Sequence, residues 1–87
     1  MHEFSLMADL LKKIQLIARQ EDARQVKRVM VTLGALAHIS PGHFREHFEQ
    51  GTRGTVAEGA HLDIEVSNDA NDPHAQEIRL VSIEVEE

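Results

Sequence analysis

The spacing of apolar residues changes along this chain, and that change constrains the fold more than any other sequence feature. Between residues 4 and 20 the apolar positions recur every three or four residues, which is the period of an amphipathic helix. They are Leu6, Leu10, Leu11, Ile14, Ile17 and Ala18. Residues 26–33 are instead rich in β-branched side chains and end at Gly34, which favours a strand. The residues expected on its buried face are Val29, Val31 and Leu33.

Three further elements follow in the sequence. Ser40 and Pro41 supply a capping hydroxyl and a proline at the first helical position, so a second helix should begin there and end near residues 51–54. Residues 62–66 and 78–85 alternate in polarity, as strands with one exposed face do. The pattern predicts an α/β (α+β) fold, a three-stranded mixed sheet covered on one face by two helices. The second helix should cross over between the first two strands, and the last two strands should form an antiparallel hairpin.

The composition limits both the core and the chemistry. The chain has 87 residues, enough for a single domain over residues 1–87, and its only aromatic residues are three phenylalanines, so the core should be mainly aliphatic. A net charge of −6 argues against a nucleic-acid partner. Without cysteine, any metal must be bound through nitrogen and oxygen, and we expect no structural zinc. No apolar run is long enough to cross a membrane and no signal peptide stands out, so we expect a cytoplasmic protein.

The amino terminus carries a candidate metal site. His2 follows Met1 directly, so the terminal amine, the backbone nitrogen of His2 and its imidazole can close fused chelate rings around one divalent ion. Neighbouring nitrogen donors favour tetragonal coordination, which selects Ni(II) or Cu(II), and nickel is the first expectation. The alternative is that His2 is a loose terminal residue without a ligand.

Three other histidines are further candidate ligands. His43 and His47 lie four residues apart on the predicted second helix, a spacing that places two imidazoles on one face within reach of one ion. The alternative is that His47 packs near the sheet while His43 is solvated. His74 would be an additional ligand if the loop 67–77 folded back toward the terminus. The remaining histidines, expected at surface or turn positions, are His38 and His61.

The sequence offers no catalytic constellation, and we expect no enzyme. It lacks a Gly-x-Ser-x-Gly turn and a glycine-rich phosphate loop. Thr52-Arg53-Gly54-Thr55 has a superficial likeness to a phosphate loop, but the lysine and the preceding strand of such a loop are missing. We interpret this segment as a helix end followed by a turn.

Several segments, taken together and in order, point to one protein family. They are Met1–Leu6, Val31–Leu36, Phe48–Glu49, Thr52–Ala60, Leu62–Glu65 and Ile83–Glu86. This set resembles the HypA/HybF hydrogenase maturation proteins, which are nickel metallochaperones, and the resemblance covers residues 1–66 and 78–87. It implies that Ni(II) is bound at Met1, His2 and Glu3, through the terminal amine, the following backbone nitrogens and the imidazole. Glu3 would act through its backbone nitrogen or by tuning the site.

The resemblance also implies a role and partners. The role is that of a nickel-binding accessory protein that delivers Ni(II) by ligand exchange during maturation of a [NiFe] hydrogenase or a urease. The partners would be the hydrogenase large-subunit precursor or a nickel-handling maturation GTPase. The sequence leaves open whether the protein forms a homodimer. Family members carry a zinc domain between the last two strands, where this chain has the short loop 67–77. The alternative is therefore a metal-free protein-interaction module, a shortened paralogue in the same machinery.

Overall fold

The computed structural model describes residues 3–86, except for the side chains of residues 3 and 4. Its elements in chain order are α1 (Glu3–Gln20), β1 (Gln25–Leu33), α2 (Pro41–Gly51), β2 (His61–Val66) and β3 (Ile78–Glu86). The order helix, strand, helix, strand, strand is the predicted one. The sheet has three strands and is mixed, so the predicted fold class is confirmed.

β1 lies at the centre of the sheet, between β2 and β3. It runs parallel to β2, as the predicted crossover through α2 requires, and antiparallel to β3. The prediction that the last two strands form a hairpin is therefore wrong. The segment that joins them crosses the end of β1, where the Ser67 N–H donates to the Leu33 carbonyl, so β3 pairs with the other edge of β1. This order gives the most buried strand a hydrogen-bonded neighbour on both edges.

One apolar core joins the helices to the inner face of the sheet. The inner-face side chains of β1 are at most 1% exposed; they are Val26, Val29, Val31 and Leu33. The predicted burial of the last three is confirmed, and a β-bulge between Val26 and Arg28 brings Val26 to the same face. The helices contribute Met7, Leu10, Ile14, Ala18, Phe44 and Phe48. Among the described side chains, the core is aliphatic apart from the two phenylalanines of α2, as the composition indicates.

The outer face of the sheet is polar. Arg28 on β1 donates from Nη1 to Asp63 Oδ2 on β2 at 3.2 Å, and its Nε lies 3.3 Å from Glu84 Oε2 on β3. One guanidinium thus links all three strands. Because these groups are a third to two-thirds exposed, each pair contributes at most about 1 kcal/mol.

Local chemistry sets both ends of α2. The Ser40 hydroxyl accepts a hydrogen bond from the His43 N–H at 3.2 Å, and Pro41 occupies the first turn, as predicted. At the other end the buried Thr52 donates from Oγ1 to the Phe48 carbonyl at 2.8 Å. The Phe48 carbonyl also accepts from the Thr52 backbone N–H at 3.0 Å, so both donors of Thr52 close the last turn of the helix.

The loop 67–77 packs tightly onto the end of β1. Gly34 donates its N–H to the Glu77 carbonyl at 2.9 Å, and Leu36 donates to the Ala75 carbonyl at 2.7 Å. Ala75 is only 4% exposed. A Cβ on Gly34 would lie 2.2 Å from the Ala75 carbonyl oxygen, so only glycine allows this approach. The loop is therefore an integral part of the fold.

We expect Gly34→Ala to lower the free energy of unfolding by about 1–3 kcal/mol, because the added methyl overlaps loop backbone rather than a flexible side chain. Urea denaturation measures the change. Gly42→Ala is the matched control, since a Cβ there meets nothing within 4 Å. Equal stability of the two variants would contradict the close packing of loop 67–77 on Gly34.

Candidate metal centre

The main predicted site falls at the edge of the described structure. Met1 and His2 lie outside the described residues, and Glu3 is described only as the first residue of α1. The predicted ligands Met1, His2 and Glu3 therefore stay a prediction. The structure does define where α1 begins and what surrounds its first turns.

The first turns of α1 lie against α2. Met7, Ala8 and Leu11 on α1 line an apolar groove of about 370 Å³ whose opposite wall is formed by His47, Gln50 and Gly51 on α2. Glu3 precedes Met7 by one helical turn, or about 6 Å along the axis. The segment that carries the predicted chelate therefore joins α1 about one turn from this groove.

A glycine lies where α2 ends against α1. A Cβ on Gly51 would lie 2.8 Å from Leu11 Cδ1, so any other residue there would press on the Leu11 side chain. Four residues earlier, His47 is half-buried along the same groove. Sequence analysis missed this groove. The signal available was an apolar i, i+4 pair, Met7 and Leu11, together with a glycine at the end of α2.

His43 and His47 are neighbours, as their spacing predicts. Their ring centroids are 4.8 Å apart, and the rings meet edge to face at 81°. His43 is exposed, whereas His47 lines the groove beside α1. The structure thus brings the two imidazoles together next to the helix that carries the amino terminus.

His74 lies in a different part of the molecule. Its Nδ1 is 2.6 Å from Glu77 Oε2, and its backbone N–H donates to Asp72 Oδ1 at 2.7 Å. These residues line a cavity of about 460 Å³ that also includes Glu65 and Arg79 from the edge strands. No residue lines both this cavity and the groove at His47. His74 therefore does not join the other candidate ligands within residues 3–86.

The structure also shows the surroundings of the two remaining histidines and of the turn that follows α2. His38 and His61 are exposed as expected, and His61 Nε2 lies 3.0 Å from Asp63 Oδ1. The Gly54 N–H donates to Glu58 Oε1 at 2.6 Å, so a carboxylate of the chain itself occupies the turn that superficially suggests phosphate binding. This supports its interpretation as a helix end and turn.

Two features, a cluster of metal-binding side chains and a membrane-spanning helix, are absent from the described part of the chain. Among the residues with described side chains, no three or more histidine, aspartate or glutamate side chains converge in a way that could hold a metal ion. No helix in residues 3–86 combines the length and apolar character needed to cross a membrane.

The chain matches a family profile over most of its length. The family described as hydrogenase/urease nickel incorporation, metallochaperone, HypA, matches residues 1–72. The hydrogenase maturation factor HypA of Methylocella silvestris is 41% identical over 66 residues, which are 76% of this chain and 58% of that relative. HypA of Acidithiobacillus ferrooxidans is 44% identical over 64 residues, 74% of this chain and 57% of the relative. The match thus spans little more than half the length of these relatives.

The fold is also that of a known structure. The solution structure of the nickel metallochaperone HypA from Helicobacter pylori superposes with a TM-score of 0.79, covering 99% of this chain and 98% of that one. At 23% identity this likeness concerns the fold alone. The family and relative names describe maturation factors and metallochaperones rather than enzymes. Because the profile covers residues 1–72 and relatives share about two-fifths of the aligned residues, the chain belongs to the HypA family.

Proposed function

We propose that this chain is a nickel-binding accessory protein that binds one Ni(II) tightly at Met1, His2 and Glu3 and delivers it by ligand exchange during maturation of a [NiFe] hydrogenase or a urease. The observation that carries the proposal is the family match, which begins at the first residue and includes the Met-His-Glu sequence. The ion is cargo, so the protein itself makes and breaks no covalent bond.

The start of α1 supports the use of backbone nitrogens as ligands. Glu3 is the first helical residue. The first four N–H groups of a helix have no intrahelical acceptor. A metal can therefore take the backbone nitrogen of Glu3 without breaking a helical hydrogen bond. With the terminal amine and the His2 nitrogens, this gives a set of nitrogen donors suited to Ni(II).

We also propose that residues 1–87 act as one nickel-binding domain in which the short loop 67–77 stands where other family members have a zinc domain. The packing of this loop on Gly34 supports a structural role that needs no metal. The chain has no cysteine, so it offers no thiolate ligands for zinc.

Two variants test the terminal site. His2→Ala removes the imidazole, and an extension ahead of Met1 converts the terminal amine into an amide. Each should weaken the tight Ni(II) equivalent by about a hundredfold or more, because fused chelate rings are lost and donors no longer act at high effective concentration. Calorimetric titration measures the affinity. His61→Ala, an exposed histidine on β2, is the control and should bind as the native chain does. Native affinity in both terminal variants would reject the site.

Nickel affinity should fall as the pH is lowered. Nitrogen ligands must be deprotonated to coordinate, so protons compete with the metal and binding releases them. Titrations in buffers of different ionisation enthalpy should show net proton release that is smaller in the extended chain, in which the terminal amine and the backbone nitrogens no longer coordinate. A native affinity that is constant from pH 8 to pH 6 would contradict coordination by the terminal amine and backbone nitrogens.

Partner binding separates delivery from the alternative of a metal-free interaction module. We expect the hydrogenase large-subunit precursor or the nickel-handling maturation GTPase to bind the nickel-loaded chain and to acquire its ion. A pull-down with and without chelator, followed by metal analysis of the partner, measures both. Equal binding with chelator and in His2→Ala, with no nickel transferred, would favour the interaction module.

A further inference from the structure

The pair of imidazoles on α2 is the strongest feature of the described structure that the family match leaves unexplained. We infer that His43 and His47 form a second Ni(II) site beside the start of α1, which takes up the ion and passes it to the amino-terminal chelate. This second site consists of His43 and His47, which are both described residues. Its role as a feeder rests on the proposed function.

The separation of the two rings fits coordination of one ion. With nitrogen–metal bonds of about 2.0–2.1 Å and each ring centroid about 1.1 Å behind its nitrogen, two imidazoles at right angles have centroids about 4.5 Å apart, and at a tetrahedral angle about 5.2 Å apart. The observed separation of 4.8 Å lies between these values. The centroid separation therefore meets the distance requirement for two imidazoles that share an ion. Rotation about χ2, which is a soft torsion in histidine, turns both nitrogens inward.

The donor chemistry and the surroundings suit a borderline divalent ion. Imidazole is a good ligand for nickel, copper and zinc, whereas calcium and magnesium require oxygen donors. His43 is exposed, so an ion can enter from solvent. Glu46 and Glu49 outnumber Arg45 among the exposed charged residues of α2, and the chain as a whole has a net charge of −6, which favours the approach of cations.

The location of the histidine pair and its weaker affinity for Ni(II) both favour transfer of the ion to the amino-terminal chelate. His47 and Met7 line the same groove, and Met7 is one helical turn from Glu3. Among the described side chains, no third histidine or carboxylate joins the pair. A two-imidazole site binds more weakly than a multidentate nitrogen chelate. An ion therefore moves downhill in free energy from the pair to the terminus.

Binding at the pair is tested in a chain extended ahead of Met1, in which the terminal chelate is disabled. This extended chain should still bind about one equivalent of Ni(II). His43→Gln/His47→Gln should abolish that equivalent, and His43→Gln alone should weaken it by about tenfold or more, because two donors on one helix act as a linked pair. The matched control is His38→Gln/His61→Gln, which removes two exposed histidines elsewhere and should leave the binding unchanged.

Imidazole NMR and circular dichroism complete the binding test. Signals of His43 and His47 should broaden together on addition of Ni(II), before those of the other described histidines. Circular dichroism checks that each variant is folded, and the exposed His43 provides a single change that spares the groove. Equal binding by the extended chain with and without His43 and His47 would overturn the second site.

The feeder role has its own measurement in the chain with a free terminus. His43→Gln/His47→Gln should slow loading of the terminal chelate from a nickel–glycine complex by about tenfold, while the final affinity of that chelate stays native. An unchanged loading rate would overturn the feeder role. Loss of tight binding in His2→Ala tests the proposed function separately, so the two can fail independently.

Discussion

Four apolar side chains on the inner face of β1 lose nearly all contact with water, and the positions of the other elements follow from covering them. Each buried valine or leucine contributes about 1.5–3 kcal/mol relative to an exposed one. β2 and β3 protect the two edges of this strand, and both helices supply side chains to the core above it. The polar outer face needs no such cover, because Arg28 and its carboxylate partners interact well with water.

The same packing sets the surroundings of the metal-binding segment. α1 buries Met7, Leu10, Ile14 and Ala18, which fixes the helix relative to the sheet. Phe44 and Phe48 do the same for α2, which leaves His43 exposed and His47 half-buried beside α1. Gly51 then allows Leu11 to approach the end of α2. His47 lies beside the first turns of α1 because the core fixes the positions of both helices.

Local sequence signals predicted much of the fold. Ser40 and Pro41 determine the start of α2 through groups within three residues of one another, and the structure has the predicted hydrogen bond. Val29, Val31 and Leu33 are buried because their alternation matches the pleat of a strand. The prediction of a hairpin between the last two strands was wrong because strand pairing depends on contacts between residues far apart in the sequence. Alternation identifies two strands but does not say which strand each one pairs with, and β3 pairs with β1 rather than with β2.

The candidate metal site also combines features that local sequence determines with features that depend on the tertiary structure. The sequence by itself determined the helical spacing of His43 and His47, the absence of thiolate ligands and the Met-His-Glu start, since each depends only on neighbouring residues. Only the tertiary structure decided that His47 lies beside Met7, that His74 lies elsewhere with Glu77, and that Gly34 receives loop 67–77. The first and the last of these placements bring together residues about 40 apart in the sequence. They arise because the chain buries its apolar surface as a whole, which no local pattern specifies.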